Sequence, residues 1–494
     1  MQSGPSRPGV VRPAQVAPVG GYTHAGALTS EQVINGEANQ YAWLDPKVLE
    51  VVGVVQQSLV NADRAEEIEK ARTDPQLRAQ MTQEIDRLAL QYLVKERAIR
   101  GEEGKVLIAT VVNEILGLGP LEPLWDDPSI TEVIVNGPDK IYVEQEGRLR
   151  RAKGCRFRSQ DHLLEVCQRI LSPLNRKVDV RDPLADGRLP DGSRVNVVHQ
   201  ALAPEGPLLT IRRFPEKTRS LVDLVNIDSL DKEMATLLAT LVANRASVLV
   251  VGSTGSGKTT LLNSLSVAIP RNERLVTIED SLELRLHPDA HVAALEARPA
   301  DSSGRNAVTI RNLVKNALRM RPDRIIVGEI RDAAALDMLQ ACNTGHEGSM
   351  STVHANGPNE AVSRLAVMVA QGGEIPADKV DWLVGSALDI IVMASRYEDG
   401  SRRVSGIYEV PDINELEDGT PLRVVPLWEW EQTGVDEDGR LVGEYVKRND
   451  MSASLRKAKS LDLVEPVTWE ALLELCGAPA ADTAKEDDAV VEVN

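Results

Sequence analysis

The sequence predicts an α/β protein: a larger domain of parallel strands and helices, preceded by a smaller mixed α/β domain and a helical segment. Three observations predict it. Between about Ser229 and Ser395, short apolar stretches alternate with amphipathic ones, the pattern of a buried parallel sheet covered by helices. Inside that span, "GSTGSGKT" separates an apolar strand from a helix-forming stretch. Upstream, from about Leu121 to Phe214, strand-like and helix-like stretches are mixed without that alternation.

Composition bounds the function. The chain has 494 residues, enough for about three domains, and an ordinary 42% apolar content. Aromatic residues make up 3%, with Phe157 and Phe214 the two phenylalanines, so the cores must be aliphatic. A net charge of −18 argues against a general nucleic-acid coat. The four cysteines, Cys155, Cys167, Cys342 and Cys476, have no paired spacing. That supports neither a zinc cage nor a disulfide framework, and fits a reduced, cytosolic chain. The N-terminal "MQSGPSRPGVVRPAQVAPVGG" lacks the apolar core of a signal peptide. No run approaches the ~18 apolar residues of a membrane span. The nearest, "WLVGSALDIIVMA" from Trp382, is broken by Asp389 and reads as a buried helix end followed by a strand. Any membrane association is expected to be peripheral, through a partner.

In chain order, residues 1–42 are rich in Pro, Gly, Ala and Val without periodicity and are expected to be disordered. Residues 43–118 form a helical segment, with apolar residues three and four apart in "LDPKVLEVVGVVQQSLV" and "QMTQEIDRLALQYLVKE". Residues 119–215 form the small α/β domain. There "ITEVIVNG", "KIYVEQEGRLRR" and "LLTIRRF" read as strands, "DHLLEVCQRILSPL" as a helix, and Asp191-Gly192 as a turn entering a strand. Residues 216–395 carry the larger domain, with strands expected at "SVLVVG", "RLVTIED", "RIIVGEI" and "SMSTVHA". Its helices are expected at "KTTLLNSLSVAI", "TIRNLVKNALRM" and "DAAALDMLQACN". Residues 396–476 form a β-rich extension with a helical pair, and 477–494 an acidic tail.

Four stretches carry chemistry. Gly252, Gly257, Lys258 and Thr259 match G-x-x-x-x-G-K-[ST]. In such a loop, Gly252, Ser253, Thr254, Gly255, Ser256, Gly257, Lys258, Thr259 and Thr260 would wrap phosphate oxygens with backbone N–H groups. Lys258 would reach the β- and γ-phosphates and Thr259 would hold Mg²⁺. A strand then ends on Glu279 and Asp280, with Glu283 three residues on. Acids at that sheet edge suit a metal's water shell or an attacking water; alternatively they form a solvated turn. Glu329 follows the apolar strand Ile325–Val327, where a carboxylate can polarise the water attacking a γ-phosphate. Arg331 is expected to pair with an acidic neighbour, with contact to a phosphate as the alternative. Finally, "TGHEGSMSTVHANGP" holds His346 and His354, both expected after the strand next beyond Glu329. They read either as core histidines or as donors that report the γ-phosphate, and spacing does not choose. No third ligand supports zinc.

Together "GSTGSGKTT", "TIEDSLEL", "RPDRIIVGEIRDAAA" and "TGHEGSMSTVHANGP" resemble the Walker A, Asp box, Walker B and His box of the secretion ATPase superfamily, which powers type II and type IV secretion and type IV pili. The upstream "GLGPLEPLWDDPSITEVIVNGPDKIYVEQEG" and "RDPLADGRLPDGSRVNVV" resemble the CpaF-type, tight-adherence (Flp) pilus branch. The four-cysteine zinc insert found in many relatives is missing. The resemblance implies a RecA-like P-loop NTPase motor that binds ATP and Mg²⁺, with Glu329 as catalytic glutamate. It makes Glu279, Asp280 and Glu283 the Asp box, and His346 and His354 the His box. It also implies that the small domain covers the nucleotide and supplies arginines, with Arg181, Arg188 and Arg194 expected ahead of Arg212 and Arg213. The expected assembly is a cytoplasmic homohexamer at the inner face of the membrane. It would hold an inner-membrane platform protein, no zinc and no nucleic acid. Its work would be pilus assembly or retraction, or protein secretion. The alternatives are a conjugation-type or other nucleic-acid translocase on the same core, and a regulatory nucleotide switch with little turnover.

Overall fold

The computed structural model describes residues 28–36, 45–61, 64–72, 74–95, 102–145, 147–174, 176–189, 191–213, 219–287, 289–298, 305–372, 375–416 and 420–477. The chain divides into two units, Met1–Pro215 and Glu216–Asn494.

In the first unit, α1 (Ser30–Asn35) is closed by a capping box between Thr29 and Gln32 and ended by Gly36 at φ 73°. Its Val33 and Ile34 are buried with Leu163 and Val166. The expectation of disorder over residues 1–42 is therefore corrected at this helix: two apolar side chains and a cap suffice to dock it. Residues 1–27 and 37–44, and the acidic tail from 478 to 494, lie outside the described residues. Four helices follow: α2 (Pro46–Asn61), α3 (Ala65–Ala71), α4 (Pro75–Lys95) and α5 (Glu102–Ile115). They share a core that includes Val51, Val55, Ile85 and Val111. The short α6 (Glu122–Trp125) leads into β1 (Ile130–Asn136), β2 (Ile141–Gln145), β3 (Arg148–Arg151), α7 (Gln160–Leu171), β4 (Leu184–Arg188), β5 (Arg194–Val198) and β6 (Leu208–Arg212).

These strands form an antiparallel sheet in the order β3-β2-β1-β6-β5-β4. The strand β4 was not legible in the sequence, because Asp186-Gly187 is a poor strand former. A Cβ on Gly187 would stand 2.5 Å from Leu174 Cδ1 and 3.2 Å from Val195 Cγ1, so a side chain there would have to displace Leu174. Register places Arg188 opposite Arg194, and Arg194 opposite Arg212. Directly opposite residues share a face, so three guanidinium side chains leave the sheet side by side, and Glu132 of β1 ends the row.

The second unit begins with α8 (Leu221–Asn226), α9 (Lys232–Ala243), β7 (Val248–Val251), α10 (Lys258–Ser266), β8 (Arg274–Glu279) and β9 (His291–Glu296). It continues with α11 (Ile310–Ala317), β10 (Arg324–Ile330), α12 (Ala334–Asn343), β11 (Met350–Val353), α13 (Pro358–Gly372) and α14 (Ala377–Ala387). After these come β12 (Ile390–Arg396), β13 (Arg402–Glu409), β14 (Val425–Val435), β15 (Leu441–Lys447), α15 (Ala453–Ala458) and α16 (Trp469–Leu475). One sheet runs β15-β14-β13-β12-β7-β11-β10-β8-β9. It is parallel from β12 to β9 and antiparallel from β12 to β15. Both faces of the central strands are buried, and alternate residues of one strand serve different cores. Leu249 and Val251 pack with α11–α14, whereas Val248 and Val250 pack with α8–α10 and α16.

"WLVGSALDIIVMA" is the end of α14 and the start of β12. The sequence did not reveal β9, an edge strand with two alanines. Ser395 lies within β12, whose antiparallel partner β13 carries the same sheet into the extension. Among the described residues, no single helix is long and apolar enough to cross a membrane.

Candidate nucleotide site

The glycine loop joins the end of β7 to the start of α10. Gly255 and Gly257 have φ of 72° and 95°, which side-chain-bearing residues rarely adopt. A Cβ on Gly252 would stand 2.1 Å from the Ala394 carbonyl oxygen. The loop's curvature therefore requires these residue types. Lys258 and Ser256 are buried. The Lys258 ammonium donates to the Ser253 carbonyl at 2.9 Å, and the Ser256 N–H points to the same oxygen at 3.3 Å. The buried Ser256 hydroxyl has no hydrogen-bond partner among the described residues. Convergent donors, an orphan hydroxyl and the N-terminus of α10 fit the phosphates of a nucleotide. Among the described residues no group of three or more His, Cys, Asp or Glu side chains could hold a metal by itself. Mg²⁺ in such a site takes substrate phosphates and few protein ligands, and Thr259 on the first turn of α10 fits that need.

The acidic groups collect at the same sheet edge. Strand β11 lies between β7 and β10. His354, just past β11, therefore stands between the loop and Glu329 at the end of β10. Its Nδ1 is 3.3 Å from Lys258 Nζ, and its Nε2 is 2.9 Å from Glu329 Oε1. Arg331 donates to Glu329 at 2.7 Å and stands 3.5 Å from Asp280. Glu279 is buried, and one of its oxygens accepts the N–H groups of Glu283 and Leu284 at 2.8 and 3.0 Å. Glu279 thus shapes the turn that carries Asp280 and Glu283. A Cβ on Gly328 would meet Glu279 Cγ at 2.9 Å, so glycine lets β8 and β10 approach here. Partial burial raises the Glu329 carboxyl, but Arg331, His354 and Lys258 outweigh it and hold the group below the usual carboxylate range. Burial, then the Lys258 charge, lowers His354 against the pull of Glu329, which keeps the imidazole neutral near pH 7.

Not every expected residue joins this cluster. His346 precedes β11 and His354 follows it, so the expectation that both follow the strand is corrected. His346 lies at the opposite edge of the parallel strands, with Nδ1 3.3 Å from the Ala341 carbonyl. The arginines belong to the first unit. Arg188 and Arg194 stand in the row across β4, β5 and β6, whereas Arg181 lies in an exposed turn where its N–H meets Asp179 at 2.7 Å. Arg212 joins the row. Arg213 instead turns to the carbonyls of Trp125 and Asp127, and its guanidinium lies 4.8 Å from the centre of the Trp125 ring. Sequence reasoning missed Arg402, whose Nε donates to the Gly255 carbonyl at 2.8 Å. The available signal was the Asp399-Gly400 turn, which brings Arg402 back opposite Arg396.

This geometry can be set beside known proteins. The family described as type II/IV secretion system protein matches residues 114–396, more than half of the chain. The chain belongs to that family. The match runs through both units and includes the glycine loop, the acidic edge and the arginine row. It agrees with the resemblance carried by the four motif blocks, and the second unit has the α/β fold with a parallel sheet that the resemblance implies. A putative conjugal transfer protein of Mycobacterium tuberculosis is 38% identical over 301 residues, covering 60% of this chain and 84% of that protein. Protein VirB11 of Agrobacterium fabrum is 35% identical over 327 residues, covering 60% of this chain and 91% of that protein. The crystal structure of the VirB11 ATPase from the Brucella suis type IV secretion system, in complex with sulphate, covers 60% of this chain and 97% of that chain. Its identity is 29% and its TM-score 0.32.

Proposed function

We propose that this chain hydrolyses ATP and that the hydrolysis drives a secretion or type IV pilus machine. One observation carries the reading: Lys258, His354 and Glu329 stand in contact at the ends of three adjacent parallel strands. The loop and Lys258 hold the phosphates. Glu329, kept ionised, orients and deprotonates the attacking water. His354, neutral and next to both, registers the presence of the γ-phosphate. Thr259 would hold Mg²⁺ together with the phosphates, and the bound ion would supply charge neutralisation at the leaving group. The arginine row, with Arg188 and Arg194 at its centre, supplies positive charge to the phosphates in the manner of an arginine finger, and Arg181 adds to it. The test is phosphate release from MgATP by the purified chain beside its Glu329→Gln form. Equal rates in the two would overturn the assignment.

The finer reading is a cytoplasmic homohexamer at the inner face of the membrane, working through an inner-membrane platform protein in tight-adherence pilus assembly or retraction. The upstream motif blocks of the small domain support that branch. Tagged Glu329→Gln protein, purified from host membranes, should bring down a polytopic membrane protein and pilin-like subunits. Recovery of DNA-processing proteins alone would favour the second reading, nucleic-acid translocation, to which the relative named for conjugal transfer lends support. That reading also requires turnover stimulated by single-stranded DNA.

A further inference from the structure

Strand β12 flanks β7 on the side away from the acidic edge. Its hairpin with β13 turns through Asp399-Gly400 and places Arg402 opposite Arg396. Both arginines reach the glycine loop. Arg402 Nε donates to the Gly255 carbonyl at 2.8 Å, and its Cδ lies 3.6 Å from where a Cβ on Gly257 would stand. Arg396 Nη1 lies 3.4 Å from the same position on Gly255. The hairpin itself is anchored: Ser229 donates to the Arg402 carbonyl at 2.8 Å and accepts the Val404 N–H at 2.7 Å.

A trans peptide holds its C=O and N–H on opposite sides. With the Gly255 carbonyl drawn outward to Arg402, the Ser256 N–H of the same peptide faces inward. There it meets the Ser253 carbonyl, on which Lys258 also converges. A peptide that follows glycine reorients cheaply, so an external holder fixes what the loop alone leaves loose. We propose that Arg402 is a positioning residue for nucleotide binding. It holds the Gly255–Ser256 peptide with its N–H on the Ser253 carbonyl, which fixes the turn of the loop that wraps the phosphates, and so makes the loop's affinity depend on the β12–β13 hairpin. Arg402 lies beyond the residues that the family matches. The inference rests on the phosphate-loop reading above.

The experiment measures fluorescent ADP binding, ATP turnover and thermal midpoint on the full chain, for wild type, Arg402→Ala, Arg402→Lys and Lys258→Ala. Arg402→Ala should weaken ADP binding and raise KM about tenfold, the worth of one charged hydrogen bond, with kcat within about threefold. Arg402→Lys should recover part of the loss. Wild-type affinity in Arg402→Ala overturns the proposal. So does a fall in kcat and thermal midpoint with KM unchanged, which would make the arginine a brace only. Should Arg402→Ala fail to fold, Arg402→Lys must bind ADP more tightly than Arg402→Gln, and equal affinities overturn the proposal. Lys258→Ala separates the two claims, because undiminished ADP binding there removes the phosphate-loop reading itself.

Discussion

The two sheets carry charge in opposite ways. At the edge of the nine-stranded sheet the groups form one connected cluster of mixed sign, from Lys258 through His354 and Glu329 to Arg331 and Asp280. Across the six-stranded sheet Arg188, Arg194 and Arg212 stand in register with like charges opposite each other. The first arrangement compensates itself and is stable without a ligand. The second sets like charges opposite each other, which is unfavourable, with Glu132 as the acid at its end. On the function proposed above, the first cluster would act on a phosphate and the second would receive one.

The largest expected effect tests the first half of that contrast. Glu329→Gln should lower ATP turnover about 10²–10⁴-fold while ADP binding stays within a few-fold of wild type. Phosphate release measured beside binding decides it, and substantial turnover would move the chemistry elsewhere. Next is Arg194→Ala, at the centre of the row. Turnover should fall at least about tenfold, the scale of a charged hydrogen bond, with only a small change in thermal midpoint, because the residue lies on a sheet surface rather than in a core. Unchanged turnover would reduce the row to a solvated face, and a large stability loss would contradict that surface placement.

Gly187→Val sharpens the contrast by disturbing the row without touching its charges. A Cβ there meets Leu174 at 2.5 Å, so overpacking should cost about 1–3 kcal/mol, read as a lower denaturant midpoint. An unchanged midpoint would mean that Leu174, in the turn after α7, yields easily. The smallest effect concerns pH. His354 is lowered from an ordinary 6.5, so its neutral form contributes stability that is present above that value and lost as pH falls. Wild type should therefore lose more stability than His354→Gln between about pH 7 and pH 5.5. Glu329 has the same sign but acts lower, below its ordinary 4.5. Parallel pH curves for wild type and His354→Gln would show that the imidazole is not held neutral.

Legibility in the sequence followed the strength of local signals. The glycine loop and the strand before Glu329 are dense in residues that only one backbone suits, and both stand where expected. The Thr29–Gln32 capping box is also a local signal, but its Pro- and Gly-rich neighbours lack the periodicity that would mark a helix there. Strands β4 and β9 carry Asp-Gly and alanines, whose preference for strand is overridden by the contacts of neighbouring elements. His346 was misplaced because β11 is four residues long, so one short strand separates two histidines that look like a pair. The Asp399-Gly400 turn hints at the hairpin that carries Arg402, but the partnership of Arg402 with Gly255 spans 147 residues, and no local pattern encodes that contact. Arg188 and Arg194 were singled out by residue type, but their alignment with Arg212 came only from strand pairing.

The continuity of the nine-stranded sheet through Ser395 bears on how the motor can be dissected. A chain cut after that residue would strip β13 from β12 and leave an open row of backbone donors and acceptors beside the glycine loop. Such an edge recruits other strands. The shortened protein would self-associate through β12, and the extension is therefore as much a guard on the sheet's margin as an appendage to it.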